Sequence, residues 1–279
     1  MWHPNWKLVS EPFVRFALRA WVKGGEPNRW RATQSVAETS LREPTPASVR
    51  AITAKDLDVV FQPIVDLSTG VTYAYEALTR CKIEAFRNPE VLFEHAVMSR
   101  CCGQLGRAVR EVAFDRVPDQ PLFVNLHPHE LNEAWLVRPD DPLFFHNHGV
   151  YLEITESAAF AYWDLCIGVL KEVCSRAGAS LVVDDLGAGY SNLKRIVDLE
   201  PQVVKLDRAL TQGIDENRRQ QILVRQVVVL CVELGAKVVA EGIETQSELR
   251  ALKDAGVHFG QGYYLAKPAF PIPAVHWPF

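Results

Sequence analysis

Seven points along the 279-residue chain carry side chains able to work on a phosphate ester: Glu76, Asn125, Glu153, the pair Asp184-Asp185, Lys205 with Asp207, Glu241 with Glu244, and Gln261. Where a metal could bind, the carboxylates and amides offer oxygen donors only, which favours Mg2+ or Mn2+ over zinc. Several carboxylates brought together would repel one another, and a pair of divalent ions bridged by an aspartate relieves that repulsion. Two such ions can stabilise both the attacking hydroxide and the leaving alkoxide of a phosphate ester, with Lys205 orienting the water or accepting its proton. Any one of these acids could be a helix cap or a solvated loop residue. Seven strand ends in a row carry such residues, and separate explanations would have to hold for all of them at once.

Each of the seven points lies at or next to the carboxyl end of a short β-branched run. Strands are expected near 59–62, 72–77, 122–125, 150–154, 181–184, 203–206, 237–240 and 260–264. Longer amphipathic stretches fall between them, at 89–117 as two helices, 159–177, 218–234 and 246–255. Strand followed by helix, repeated to eight strands, predicts a (β/α)8 TIM-like barrel, in which the carboxyl ends of the strands form the active-site face. Residues 61–70 lead from the first strand to the second through a hairpin-like turn too short for a crossover helix, so that pair is expected to be antiparallel. A doubly wound open sheet is the structural alternative, weakened because no GxGxxG follows a strand.

The chain is 48% hydrophobic and 23% charged, with a net charge of −4. Residues 1–50 hold eight Lys/Arg against four Asp/Glu, a net +4, which leaves −8 for the rest. An acidic body argues against a nucleic-acid polymer as partner. Residues 1–50 are rich in Trp and then in Ser, Thr and Pro, and read as an N-terminal arm and linker to a barrel spanning 51–279. The apolar runs are far short of the roughly 20 residues of a membrane span and the start is not a signal peptide, so no membrane partner and a cytoplasmic location are expected. The six cysteines include no CxxC pair and read as reduced and mostly buried. His127, His129, His146 and His148 fall in loops and are not expected to bind zinc.

Glu76-Ala77-Leu78 with Arg80, Phe123-Val124-Asn125-Leu126, Glu153-Ile154-Thr155-Glu156, Asp184-Asp185-Leu186-Gly187-Ala188-Gly189, Lys205-Leu206-Asp207, Ala240-Glu241-Gly242-Ile243-Glu244 and Gln261-Gly262-Tyr263-Tyr264 occur in one order over 61–268. In that order and spacing they resemble the EAL domain family of cyclic-di-GMP phosphodiesterases. The resemblance implies that Glu76, Asn125, Glu153 and Asp184 hold one metal and that Asp184 with Asp185 reaches a second. Lys205 would hold or deprotonate the attacking water, and Glu241 and Gln261 would bind metal-bound waters. Arg80 would contact a substrate phosphate, Gln62 would lie beside the dinucleotide, Glu156 would anchor the loop after Asp184, and Asp207 and Glu244 would support the site.

The family likeness further implies two Mg2+ or Mn2+ ions per site, hydrolysis of cyclic di-GMP to linear 5′-pGpG and a homodimer; the residues leave open whether the protein works alone or with a separate sensor protein as a further partner. Leu186, Asn192 and His127-Pro128 depart from the residues usual in the family without removing an oxygen ligand, the Lys or the Arg. The rival reading is a non-catalytic receptor for cyclic di-GMP on the same fold. Retention of every metal ligand and of Lys205 favours the enzyme. A metal-dependent hydrolase of another phosphoester is a third reading.

Overall fold

The connection between the first two strands sets the topology. Asp66 Oδ1 accepts the backbone N–H groups of Ser68 and Thr69, and Gly70 follows at φ +76°, so the chain reverses within a few residues. A side chain at Gly70 would also strike the Trp277 indole, which lies 2.5 Å from where a Cβ would sit. Such a turn can join only antiparallel neighbours. The structure is a computed structural model that describes residues 48–133, 135–155, 163–188 and 193–279.

Eight strands close into a barrel in chain order: β1 (Leu57–Asp66), β2 (Thr72–Cys81), β3 (Leu122–Asn125), β4 (Val150–Thr155), β5 (Ser180–Leu186), β6 (Val203–Leu206), β7 (Lys237–Ala240) and β8 (Phe259–Gly260). β1 runs antiparallel to both β2 and β8, and the other neighbours are parallel. The barrel and its antiparallel first pair agree with the sequence reading. The last strand does not begin at 260 as expected. It is confined to Phe259–Gly260, because Gly262 comes against the Ile243 backbone so closely that a Cβ would lie 2.1 Å from its carbonyl oxygen.

The helices are α1 (Pro89–Met98), α2 (Cys102–Arg116), α3 (Trp163–Ala177), α4 (Lys194–Leu199), α5 (Arg208–Thr211), α6 (Arg218–Glu233) and α7 (Gln246–Asp254). Local chemistry starts several of them. Asn88 caps α1 ahead of Pro89, Asn217 caps α6 by accepting from Arg219 and Gln220, and Thr245 with Glu248 forms a capping box on α7. The short helices α4 and α5 have no periodic apolar pattern of their own, and sequence periodicity does not anticipate them.

Apolar residues pack in two shells, as the two-residue period of a strand requires. Ile64, Phe123, Val182, Val203, Val239 and Phe259 belong to a small cluster that fills the barrel interior. The opposite strand faces pack against the helices in a larger shell that includes Leu92, Val228 and Leu249. The cysteines are buried or half-buried, and burial pushes the Cys102 thiol up to about 12.

One buried ionic group ties the loop after β3 to α2. Arg110 donates to both Asp141 carboxylate oxygens at 3.0 and 2.8 Å and to Glu130 Oε2 at 2.8 Å, and all three side chains are buried. Glu130 Oε1 also accepts the His127 backbone N–H at 3.1 Å, fixing the chain two residues beyond Asn125. Gly106 leaves room for the Glu130 carboxylate, which lies 2.1 Å from where a Cβ would be. Removing one partner of such a group strands the others without compensation, at about 3–5 kcal/mol. Arg110→Ala is therefore expected to lower unfolding stability by about that amount in urea titration; a loss below about 1 kcal/mol would show that the group is not structural.

Candidate active site

Two residues along six of the strands from the apolar interior layer, the same inward face turns polar. Ala74 is followed by Glu76, Phe123 by Asn125, Val182 by Asp184, Val203 by Lys205, Val239 by Glu241, and Phe259 by Gln261. The polar residues thus form a layer on top of a dry one, at the carboxyl ends of the parallel strands. At its centre stands Lys205, fully buried, with Nζ 2.6 Å from Glu241, 2.7 Å from Glu153, 3.2 Å from Asp184 and 3.4 Å from Glu76. Four carboxylates surround one ammonium.

Gln261 and Gln62 frame this cluster. The Gln261 amide donates to Gln62 Oε1 at 2.9 Å and to Glu76 Oε2, while Gln62 donates to the Ala266 carbonyl at 3.0 Å. Asn125 sits at the exposed end of β3 and reaches Glu76 Oε1 at 3.5 Å. In β5 the register shifts between Val183 and Leu186, and Asp185 takes φ +60°. Left-handed backbone is unfavourable for a non-glycine residue, by about 1–3 kcal/mol, and is often found where function demands it. Asp184, Asp185 and Glu241 each place one carboxylate oxygen so that all three lie within 4.8 Å of one another.

Burial and mutual repulsion govern the charges. Burial alone would lower the Lys205 ammonium, but Asp184, Glu153, Glu241 and Glu76 hold it well above the ordinary lysine value. Burial raises the Glu153 carboxyl well above its usual range, against the pull of Lys205. Burial likewise lifts Glu241 to about 8, with Asp184 and Glu76 adding to the rise. Glu76 is also buried, yet Lys205 and the Gln261 amide keep it below the usual carboxylate value.

The cluster suits a hard divalent cation. Its donors are oxygens, and two buried ones, Glu153 Oε2 and Gln261 Oε1, have no hydrogen-bond partner among the described residues. A buried acceptor without a partner is costly, and a cation or its water would satisfy it.

The cavity over the cluster, about 340 Å3, is lined by Gln62, Glu76, Asp184, Asp185, Glu241, Glu244 and Gln261, all anticipated from sequence. Arg80 and Asn125 line a neighbouring, more apolar cavity of about 510 Å3, and Leu78 borders both. Arg80 also donates to its neighbour's carbonyl, that of Thr79, at 2.8 Å. Asp207 caps α5 by accepting the Ala209 N–H at 2.8 Å. Glu244 pairs with Arg208 at 2.8 Å. Glu156, expected to anchor the loop, lies outside the described residues, as do residues 189–192. Arg208 also lines the acidic cavity and was not anticipated; its place directly after the Lys205-Leu206-Asp207 strand end was the available signal.

Fold and site together define a TIM-type barrel with an oxygen-donor cation site centred on a buried lysine. The chain belongs to the EAL domain family, whose model matches residues 47–268. It is 29% identical over 243 residues to the Pseudomonas aeruginosa protein named cyclic di-GMP phosphodiesterase PA2567, covering 81% of this chain and 40% of that one. With NbdA, a protein of the same organism also named a cyclic di-GMP phosphodiesterase, it shares 28% identity over 266 residues, covering 88% and 32%. Klebsiella pneumoniae BlrP1, solved as a manganese and cyclic-di-GMP complex, superposes with a TM-score of 0.68 at 28% identity, over 78% of this chain and 57% of that one. The chain spans less than half the length of the two curated relatives.

The raised carboxyls make metal-free stability depend on pH. A glutamic acid with its folded pKa near 8 and an unfolded value near 4.5 stabilises the fold fully below the lower value, loses that contribution steadily as pH rises between the two, and has lost it above the upper one. In chelator, wild-type stability should therefore fall between about pH 4.5 and 8 relative to Glu241→Gln, by at most about 1.4 kcal/mol per pH unit, and level off above that. Parallel urea titrations check this, and parallel curves for the two proteins would show that Glu241 does not titrate as described.

Proposed function

We propose that the chain is a cyclic-di-GMP phosphodiesterase that hydrolyses the cyclic dinucleotide to linear 5′-pGpG with two Mg2+ or Mn2+ ions. The observation that carries this reading is the oxygen-donor cluster around Lys205, with the partnerless Glu153 Oε2 buried inside it. Likeness to relatives named for this activity supports the substrate. Glu76, Asn125, Glu153 and Asp184 would hold one cation, Asp184 with Asp185 the other, and Glu241 and Gln261 would act through ordered water. When bound, the cations supply Lewis-acid stabilisation of the phosphoryl oxygens and make water a better nucleophile near neutral pH.

The protein's own groups do the positioning. Lys205, held as an ammonium by its carboxylate neighbours, donates to the attacking water and fixes it in line with the P–O3′ bond. Water oxygen joins phosphorus, the P–O3′ bond breaks, and the 3′ oxygen takes a proton. This leaves a 5′-phosphate and a free 3′-hydroxyl. Gln62, whose amide is locked by Ala266 and Gln261, presents a fixed edge to the dinucleotide, and Arg80 meets a phosphate from the adjoining cavity.

The proposal includes a barrel spanning 51–279 behind an N-terminal arm, a cytoplasmic location, a separate sensor partner and a homodimer. The exposed apolar residues Ile222, Leu223, Val229 and Val232 on α6 support self-association. Among the described residues no helix is long and apolar enough to cross a membrane.

Incubation with cyclic di-GMP and Mn2+, read by chromatography, should yield pGpG. Glu76→Ala or Lys205→Ala should reduce turnover by more than about a hundredfold, and a near wild-type rate in either would refute the assigned roles. Binding of cyclic di-GMP by the wild type without product would replace the enzyme with a receptor.

A further inference from the structure

Five carboxylates, Glu76, Asp184, Asp185, Glu241 and Glu244, line the acidic cavity, and among its described lining residues Arg208 is the single cation. Arg208 opens α5, directly beyond β6. In a barrel closed in chain order β6 lies four strands from β2, the strand that carries Arg80, so the two arginines stand on opposite walls with the carboxylate cluster between them. A cyclic dinucleotide carries its two phosphodiesters across the macrocycle from each other. Two arginines on strand ends across the barrel, Arg208 in the acidic cavity and Arg80 in the adjoining one, match that disposition of charge.

Arg208 is seated for reach. Gly242, at φ +68°, lies so close to its stem that a Cβ there would be 2.6 Å from Arg208 Cγ and 2.9 Å from Arg208 Cβ. The stem is thus laid along the backbone after β7, and the head emerges at the mouth, where it pairs with Glu244. Both partners of that pair are substantially exposed, 53% and 40%, so water and a competing anion reach it. Exposed pairs are weakly held and readily exchanged.

We propose that Arg208 is a substrate-affinity residue that grips one phosphodiester of the dinucleotide from the wall opposite Arg80, with Glu244 as the internal anion that the phosphate displaces. This deepens the proposed function and rests on it. The same chemistry predicts that Glu244 restrains affinity through Arg208: with Glu244 neutralised, the arginine is free for the ligand.

The test measures cyclic-di-GMP affinity by calorimetry in Ca2+, together with kcat and KM in Mn2+, for the full chain. Arg208→Gln should weaken binding and raise KM by about tenfold while kcat stays within about threefold, and Arg208→Lys should recover part of the loss as a charge without the planar fork. Glu244→Gln should tighten binding in the wild type but have no such effect when Arg208 is already Gln. Matching thermal midpoints exclude misfolding. An Arg208→Gln affinity within about twofold of wild type, or a fall in kcat at constant KM, would overturn the proposal. If the wild type binds without cleaving, the enzymatic reading fails while the affinity comparison still decides Arg208's role; if it does not bind, both fail.

Discussion

The structure turns on one buried ammonium. Lys205 lies inside the barrel with carboxylates from four other strand ends within 3.4 Å, and neither the acids without the lysine nor the lysine without the acids could be buried there. A lone buried charge is expensive, and four acids sharing a site would protonate to relieve their repulsion. Burial, with repulsion from the neighbouring carboxylates added to it, leaves the Glu153 and Glu241 carboxyls raised even after Lys205 has offset part of the cost. The site is under-neutralised by construction, which is what gives it an appetite for cations.

The barrel makes this possible by layering. Six strands place an apolar residue in the interior and a polar one two residues further along the same face, so the ionic layer rests on a floor of Phe123, Val182, Val203, Val239 and Phe259 that excludes water from below. Low dielectric on that side strengthens every interaction above it. β5 departs from this regularity through a register shift and a left-handed Asp185, which brings two successive acids toward one cavity. The Arg110 group does a comparable job at a distance, pinning the chain beyond Asn125.

Much of this was legible in the residues. Eight strand candidates, the short link that forces β1 and β2 antiparallel, and a polar residue at each strand end all follow from spacing, because a strand's two-residue period translates position into facing. What spacing does not encode is where chain segments far apart in sequence approach each other. The last strand is short because Gly262 meets Ile243, a tertiary contact. Arg80 lies in a separate cavity from the acids, and Asp207, read as support for the site, serves as a helix cap. Arg208 escaped notice because a cation in the first turn after a strand looks like an ordinary solvated residue until the cavity around it is seen to be acidic.

In the proposed hydrolysis a water held in this cluster attacks phosphorus. Turnover of cyclic di-GMP in oxygen-18 water with Mn2+, followed by mass spectrometry of the product, tests it most directly. The expected product is pGpG with one heavy oxygen, on its 5′-phosphate. Heavy oxygen on the ribose, or intact cyclic dinucleotide after prolonged incubation, would contradict it.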